Sequence, residues 1–309
     1  MQNAFPNYYP QFRCIAAECR HNCCIGWEID VDAETLKKYR TVSGAMGERL
    51  KGAIVRGKEP HFRLGSNERC PFLNADNLCD LILYGGEEML CQICTDHPRF
   101  RSFLTGRTEI GVGLCCEAAA RLILTQKEPF SLVAAGEAEA VGGEEAALLA
   151  LRSELFRIAQ DRSKPIAERE ELLLRRCGVS LPELSARELA AFYLSLERMD
   201  EHWTELLTAL SDGDMTDFIM YMQPRETEYE QLLCYFLYRH LPEGLLDGDV
   251  GSKTAFAVLS VRLLRLLGAQ EYRTKGSFTV DDQVELARLY SAEIEYSQDN
   301  LDTIFDALC

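Results

Sequence analysis

Residues 14–27 read CIAAECRHNCCIGW: Cys14, Cys19, Cys23 and Cys24 in a C-x4-C-x3-CC spacing, with His21 among them and Gly26-Trp27 closing the run. No helical or alternating apolar period runs through it, so it reads as loop. Further thiols follow at Cys70, Cys79, Cys91, Cys94, Cys115 and Cys116. Ten of the 13 cysteines thus fall between Cys14 and Cys116, whereas Cys177, Cys234 and Cys309 stand alone. The amino terminus, MQNAFPNYYPQFRC, has no basic-then-apolar signal pattern, and no apolar run is long enough to span a bilayer. The expected compartment is the cytosol, where thiols stay reduced. Clustered cysteines there read as metal or iron–sulfur ligands rather than disulfides. Thiolates suit zinc and iron–sulfur clusters alike, so composition leaves both open. Cys91 and Cys94 form a C-x2-C clamp. Adjacent thiols such as Cys23 and Cys24, or Cys115 and Cys116, point to opposite sides of an extended backbone and suit different roles.

Outward from the thiols, the 309 residues divide into two regions. The first, 1–130, has short elements: a helix opened by Asp32 through Tyr39, helical character from Ser43 to Val55, a strand at His61–Leu64 and a turn at 65–67. Strands at Phe100–Leu104 and Glu109–Val112 flank Thr105-Gly106-Arg107 as a hairpin, and a helix starts near Cys116. Metal ligation is expected to fix the intervening loops. A Gly/Ala/Glu-rich surface connection, Ala134–Gly143, leads into the second region, 131–309, which reads as helices. Leu148, Leu151, Leu155 and Ile158 share one helix face, and the pattern stops before Pro165. Capping boxes are expected at Ser185/Glu188 and Thr227/Glu230, an N-cap at Asp281 and another at Ser297. The expected fold class is mainly α: a cysteine-rich metal-binding N-terminal region with short strands, then an α-helical C-terminal region.

Charge separates the same two regions. Through Glu128 there are 16 basic and 16 acidic residues; the remainder holds 17 against 33, so the whole formal charge of −16 lies there. A nucleic-acid binder would need a basic face, and the chain has no such surplus. The acidic half is read as a solvated helix exterior, with docking of a basic partner as the alternative.

Several other residues are candidates for chemistry. His21 and His97 lie among the cysteines and suit metal ligation or proton transfer. Arg99 offers a fork for a carboxylate or phosphate. Trp27 suits a core aromatic or a stacking surface. Glu117 begins a helix, where the dipole favours a carboxylate. Gly111-Val112-Gly113 is not a dinucleotide fingerprint. Cys177 and Cys234 read as structural, and Cys309 as a free terminal thiol.

The cysteine pattern resembles a known family. Cys14, Cys19, Cys23-Cys24-Ile25-Gly26-Trp27, Cys70-Pro71-Phe72-Leu73, Cys79, Cys94 ahead of His97-Pro98-Arg99-Phe100, and Leu114-Cys115-Cys116-Glu117 are similar to the bacterial flagellin lysine-N-methylases. A broader group of cysteine-rich zinc- or iron-chelating domains shares these cysteines. The tail Glu295-Tyr296-Ser297-Gln298-Asp299-Asn300-Leu301 also resembles the methylases' closing motif. The resemblance implies methyl transfer from S-adenosylmethionine to flagellin lysines by a protein carrying a [4Fe-4S] cluster, with zinc as the alternative metal. It implies ligands at Cys14, Cys19, Cys23, Cys24, Cys70, Cys79, Cys94 and Cys115; Cys91 and Cys116 lie outside the shared pattern. The radical-type C-x3-C-x2-C spacing is absent, because Cys24 directly follows Cys23. A polar transfer requires a neutral lysine amine, for which Glu117 and His97 are the candidate bases, with Trp27 and Arg99 the candidate cofactor contacts. The competing readings are a non-catalytic zinc- or iron-stapled binding module and a metal or redox carrier.

Overall fold

The computed structural model describes residues 2–136 and 141–309. In chain order its elements are β1 Gln2–Pro6, α1 Ala33–Thr41, α2 Gly44–Ala53, β2 Ile54–Val55, β3 His61–Phe62, α3 Asp80–Gly85, α4 Gln92–Asp96, β4 Arg99–Leu104 and β5 Arg107–Val112. Next come α5 Glu117–Leu124, β6 Leu132–Ala135, α6 Gly143–Ala159, α7 Ile166–Cys177, α8 Ala186–Leu194, α9 Glu201–Ala209, α10 Thr216–Met222 and α11 Thr227–His240. The chain ends with α12 Gly244–Asp247, α13 Val250–Lys275, α14 Val280–Tyr290 and α15 Gln298–Leu308. The mainly helical class is as expected. No described helix is long and apolar enough to cross a membrane. Contacts divide the chain into a smaller unit, Arg13–Arg99, and a larger one, Met1–Phe12 with Phe100–Cys309.

In the smaller unit, Asp32 caps α1 as its sequence predicts: its carboxylate accepts from the Thr35 amide at 2.9 Å. Helix α1 packs on α2, and β2 pairs antiparallel with β3 through Ile54 opposite Phe62. Ile29, Val31, Tyr39, Leu50, Phe62, Phe72 and Leu81 form one apolar cluster with Cys70 and Cys91. The Phe62 and Phe72 rings lie 5.0 Å apart within it. Thiols here occupy core positions.

The larger unit has a four-stranded sheet in the order β4-β5-β1-β6. Strand β1 runs parallel to β5 (Gln2 opposite Arg107) and antiparallel to β6 (Asn3 opposite Ala135). The expected β4–β5 hairpin turns at Gly106, whose φ of 65° suits glycine. Around the sheet lies a helical core centred on α13, which packs on α7, α11, α14 and α15. Fifteen of its 26 residues are buried, so its apolar side chains form no single stripe and its period is blurred.

Three local expectations are corrected. Thr227 and Glu230 form no capping box, because the chain enters α11 directly from a 3-10 turn with Glu226 already in helical conformation. Glu230, fully buried, instead takes Arg162 at 2.8 Å and Arg169 at 3.0 Å. The cap of α14 is Thr279, which closes a box with Asp282; Asp281 points to Arg121 at 2.7 Å. Of the connection expected over Ala134–Gly143, Ala134 and Ala135 belong to β6 and Gly143 begins α6, while residues 137–140 lie outside the described residues. The box at Ser185/Glu188 and the cap at Ser297 form as expected.

Candidate functional site

Backbone pairing gathers the thiols of the smaller unit. An antiparallel bridge between Ile25 and Arg69 places Cys24 beside Cys70, whose amide donates to the Cys24 carbonyl at 2.8 Å. Gly26 lets the chain turn there with φ 79°. A second bridge, Leu73 to Cys79, closes the turn after Cys70. Within that turn the Asn74 side-chain oxygen accepts from the amides of Asp76 and Leu78, both at 3.0 Å. The third thiol segment is tied to α1. Asp32 accepts from the Gln92 amide at 2.9 Å, and the Tyr39 hydroxyl donates to the Met89 carbonyl at 2.6 Å. Burial works against the Asp32 carboxylate, but the Gln92 and Thr35 amides outweigh it and hold its pKa at about 2.

Six sulfurs interact within this unit. Cys24 feels Cys23, Cys70 and Cys79; Cys94 feels Cys91, Cys70 and Cys23; Cys70 feels Cys79 and Cys91. Hydrogen bonding between Cys23 and Cys24 lowers the first thiol's pKa and raises the second's. Cys91 and Cys94 behave in the same way, with Cys91 lowered and Cys94 raised. The Tyr39 hydroxyl stands 3.5 Å from the Cys91 sulfur. Burial pushes Cys70 up to about 11. All 13 cysteines are free of disulfides. The metal-binding character expected of the front region is not displayed, however. Among the described residues no three His, Cys, Asp or Glu side chains are arranged to hold a metal ion.

Of the expected ligands, Cys23, Cys24, Cys70, Cys79 and Cys94 come together, joined by Cys91, which the family pattern leaves out. Cys14 is exposed, its sulfur accepting from the Ala16 amide at 3.4 Å, and Cys19 ends the same turn, half-buried. Trp27 and His97 meet, with ring centroids 6.2 Å apart. Burial, then the Arg99 charge, pushes His97 down to about 4. Arg99 donates to the Thr95 carbonyl at 3.0 Å. The sequence pointed to Cys91 only through its C-x2-C spacing, and gave no signal for Tyr39.

The larger unit brings two distant motifs together. Cys115, buried in the turn before α5, hydrogen-bonds the Tyr296 side chain from the tail motif. Burial pushes the Cys115 thiol up to about 12. The Arg239 guanidinium lies between the rings of Phe100 (4.9 Å) and Tyr296 (5.1 Å), with Glu295 at 3.3 Å. Gly111 makes room for Phe100: a Cβ at Gly111 would stand 2.2 Å from that ring. Glu295 also accepts from Tyr235 at 3.0 Å and meets His240 Nε2 at 2.7 Å. Burial opposes the Glu295 charge, but Arg239 and His240 outweigh it and lower its pKa. Glu295 ends a π-helical turn, Ser291–Glu295, inserted after α14. Asn300, in the following helix, donates to the Glu197 and Glu293 carbonyls, both at 2.9 Å. Glu117 opens α5, 5% exposed. The Arg239–Glu295 hub was not legible in sequence, because its members sit 56 positions apart and α11 reads as plain core.

Residues 180–308 match the FliB lysine N-methylase C-terminal domain. The lysine-N-methylases of Salmonella choleraesuis and Salmonella typhimurium are 26% and 25% identical to this chain over 134 residues, 41% of it and 33% of their own length. The matched part is thus a third of those relatives. The flagellar biosynthetic protein FliU of Salmonella muenchen is 25% identical over 134 residues, 41% of this chain and 79% of its own. No solved structure matches. Tyr235, Arg239, His240, Glu295 and Tyr296 all fall within the matched segment. The similarity to the FliB lysine N-methylase C-terminal domain is thus confined to residues 180–308, less than half of the chain.

Proposed function

We propose that this protein transfers methyl groups from S-adenosylmethionine to lysine side chains of flagellin, and that thiols of its smaller unit hold a [4Fe-4S] cluster. The observation that carries the reading is the lysine N-methylase match over residues 180–308, whose closing Tyr296 meets Cys115 of the front cysteine pattern. Cys24, Cys70, Cys79, Cys91 and Cys94 are soft thiols gathered in one apolar cluster; this donor chemistry, rather than their arrangement, favours an iron–sulfur cluster, with zinc the alternative. A bound centre would staple the loops that carry Cys24, Cys70 and Cys94 and couple ligation to folding.

In the transfer, the lysine nitrogen lone pair attacks the sulfonium methyl. An N–C bond forms, the S–C bond breaks, and the thioether leaves with the electron pair. The nitrogen must first be neutral, against an ordinary lysine pKa of about 10.4. His97, held near 4, carries no proton at neutral pH and can accept a hydrogen bond from the amine. Deprotonating a lysine ammonium onto it would be uphill by about 9 kcal/mol at about 1.4 kcal/mol per pKa unit. His97 is therefore not the base that neutralises the amine, and Glu117 is left as the candidate for that role.

The test is incubation of the full chain, prepared without oxygen, with flagellin and methyl-labelled S-adenosylmethionine. Label on flagellin lysines, located by peptide mass, supports the proposal. No transfer by protein that retains its metal would refute it. Colourless protein carrying only zinc would replace the cluster by the alternative metal.

A further inference from the structure

We infer that the smaller unit binds a small carboxylate with an apolar body, in a pocket between the ends of α1 and α2. The inference goes beyond the methyl-transfer reading and needs neither the thiols nor a metal.

The pocket has a volume of about 190 Å³ and lies wholly within this unit. Its bottom is apolar: Leu50 and Ile54 are 1% and 8% exposed, with Leu36 and Pro60 beside them. Tyr39, 2% exposed, forms a wall, and its hydroxyl holds the ring in place by donating to the Met89 carbonyl at 2.6 Å. Tyr39, Leu50 and Ile54 belong to the unit's own apolar cluster, so the cavity exists before any ligand arrives. Drug-sized ligands usually occupy about 300–1,000 Å³. This smaller space suits a short aliphatic chain or a single ring.

The charged lining has one sign. Arg40, Lys51 and Arg56 line the pocket, all three exposed, and no carboxylate lines it. Lys51 is paired with Glu48 at 2.7 Å. Arg40 and Arg56 have no hydrogen-bond or ion-pair partner among the described residues. The negative ends of α1 and α2 account for cations at Arg40 and Lys51, each in a last turn. They do not account for Arg56, which follows β2. Each helix end is worth about half a negative charge, and Glu48 adds one. Set against three cations, these leave roughly one positive charge unbalanced, the complement of a single carboxylate. A guanidinium takes a carboxylate through two parallel N–H bonds, while the apolar bottom takes the rest of the molecule. S-adenosylmethionine does not suit this pocket, because its sulfonium and ammonium groups outweigh its one carboxylate.

The experiment titrates the full chain with hexanoate, hexanol and hexylamine while following the backbone amide signals of Tyr39, Leu50 and Ile54 by NMR. Hexanoate should shift these signals saturably, hexanol more weakly and hexylamine not at all. The double variant Arg40→Gln/Arg56→Gln removes two exposed side chains that hold nothing else, so it should fold as the natural chain does. It should bind hexanoate at least about tenfold more weakly, the scale of hydrogen bonds to a charged group. Arg187→Gln, an equally exposed arginine of the larger unit, should leave hexanoate binding unchanged. No saturable shift in the natural chain, or an equal response to hexanol or hexylamine, overturns the proposal. Hexanoate affinity retained in the double variant, or lost as much in Arg187→Gln, overturns it as well.

Discussion

Removing the carboxylate charge of Glu295 gives a sharp measure of the hub that joins the two motifs. Glu295 is fully buried and faces Arg239, 12% exposed, and His240, 1% exposed. Glu295→Gln leaves the Arg239 guanidinium buried without its counter-charge, a loss that typically costs about 3–5 kcal/mol. Arg239 keeps Tyr235 at 2.8 Å and its two ring contacts, so we expect about 3 kcal/mol. Arg239→Gln should cost a similar amount by stranding Glu295. The double variant should lose roughly 4 kcal/mol rather than 6, because neither side then buries a lone charge. The implied coupling, about 2 kcal/mol, lies in the range measured for contacting residues. Urea unfolding followed by Trp203 fluorescence reports the larger unit, because Trp203 is 0% exposed there. Trp27, the second of the two tryptophans, is replaced by Phe in every background to silence the smaller unit. Additive losses, with coupling below about 0.5 kcal/mol, would show that the 3.3 Å approach carries no energy and would refute the account of the hub.

The remaining expectations are simpler. Asp32 has its pKa held at about 2 against an ordinary 3.8. Its contribution is therefore present above about pH 4 and is lost as pH falls through 2. Asp32→Asn should destabilise the smaller unit by roughly 1 kcal/mol at pH 6, a figure kept small because the group is partly solvated, and the gap to the natural chain should narrow as pH falls through 2. A gap that persists at low pH contradicts the assignment. At α14, Thr279→Ala should cost about 1 kcal/mol in thermal or urea unfolding, and Asp281→Asn under about 0.5; the reverse order would restore Asp281 as the cap. Glu117→Gln should leave metal content unchanged and slow methyl transfer to flagellin; unchanged turnover would reduce Glu117 to a helix-start residue.

Local signals were read well where one residue decides one bond. Asp32, Ser185 and Ser297 cap the helices they precede, and the Thr105-Gly106 turn makes its hairpin, because each needs only a short-range acceptor or a positive φ. The failures have a common cause. Glu230 matches a capping pattern, but a buried position between Arg162 and Arg169 offers it two charged partners, and the continuous helical entry removes the cap conformation. Helix α13 went unread because burial on nearly all sides erases the periodic contrast that marks a surface helix. The thiols were legible as a group, whereas their membership was not. Spacing does not show that Cys91 sits in an apolar cluster while Cys115 meets Tyr296.

The order of strands in the sheet bears on how the chain is made. Strand β1 is the first element in the sequence described, yet its partners β5 and β6 begin at Arg107 and Leu132. At about 5–20 residues per second on the ribosome, β1 waits some seconds with both edges open while the whole cysteine-bearing insert is synthesised. The insert's pairings, such as Ile25 with Arg69 and Asp32 with Gln92, close within 13–99. The insert can therefore fold around its own apolar cluster before the host sheet closes, and before the helical half of the chain exists.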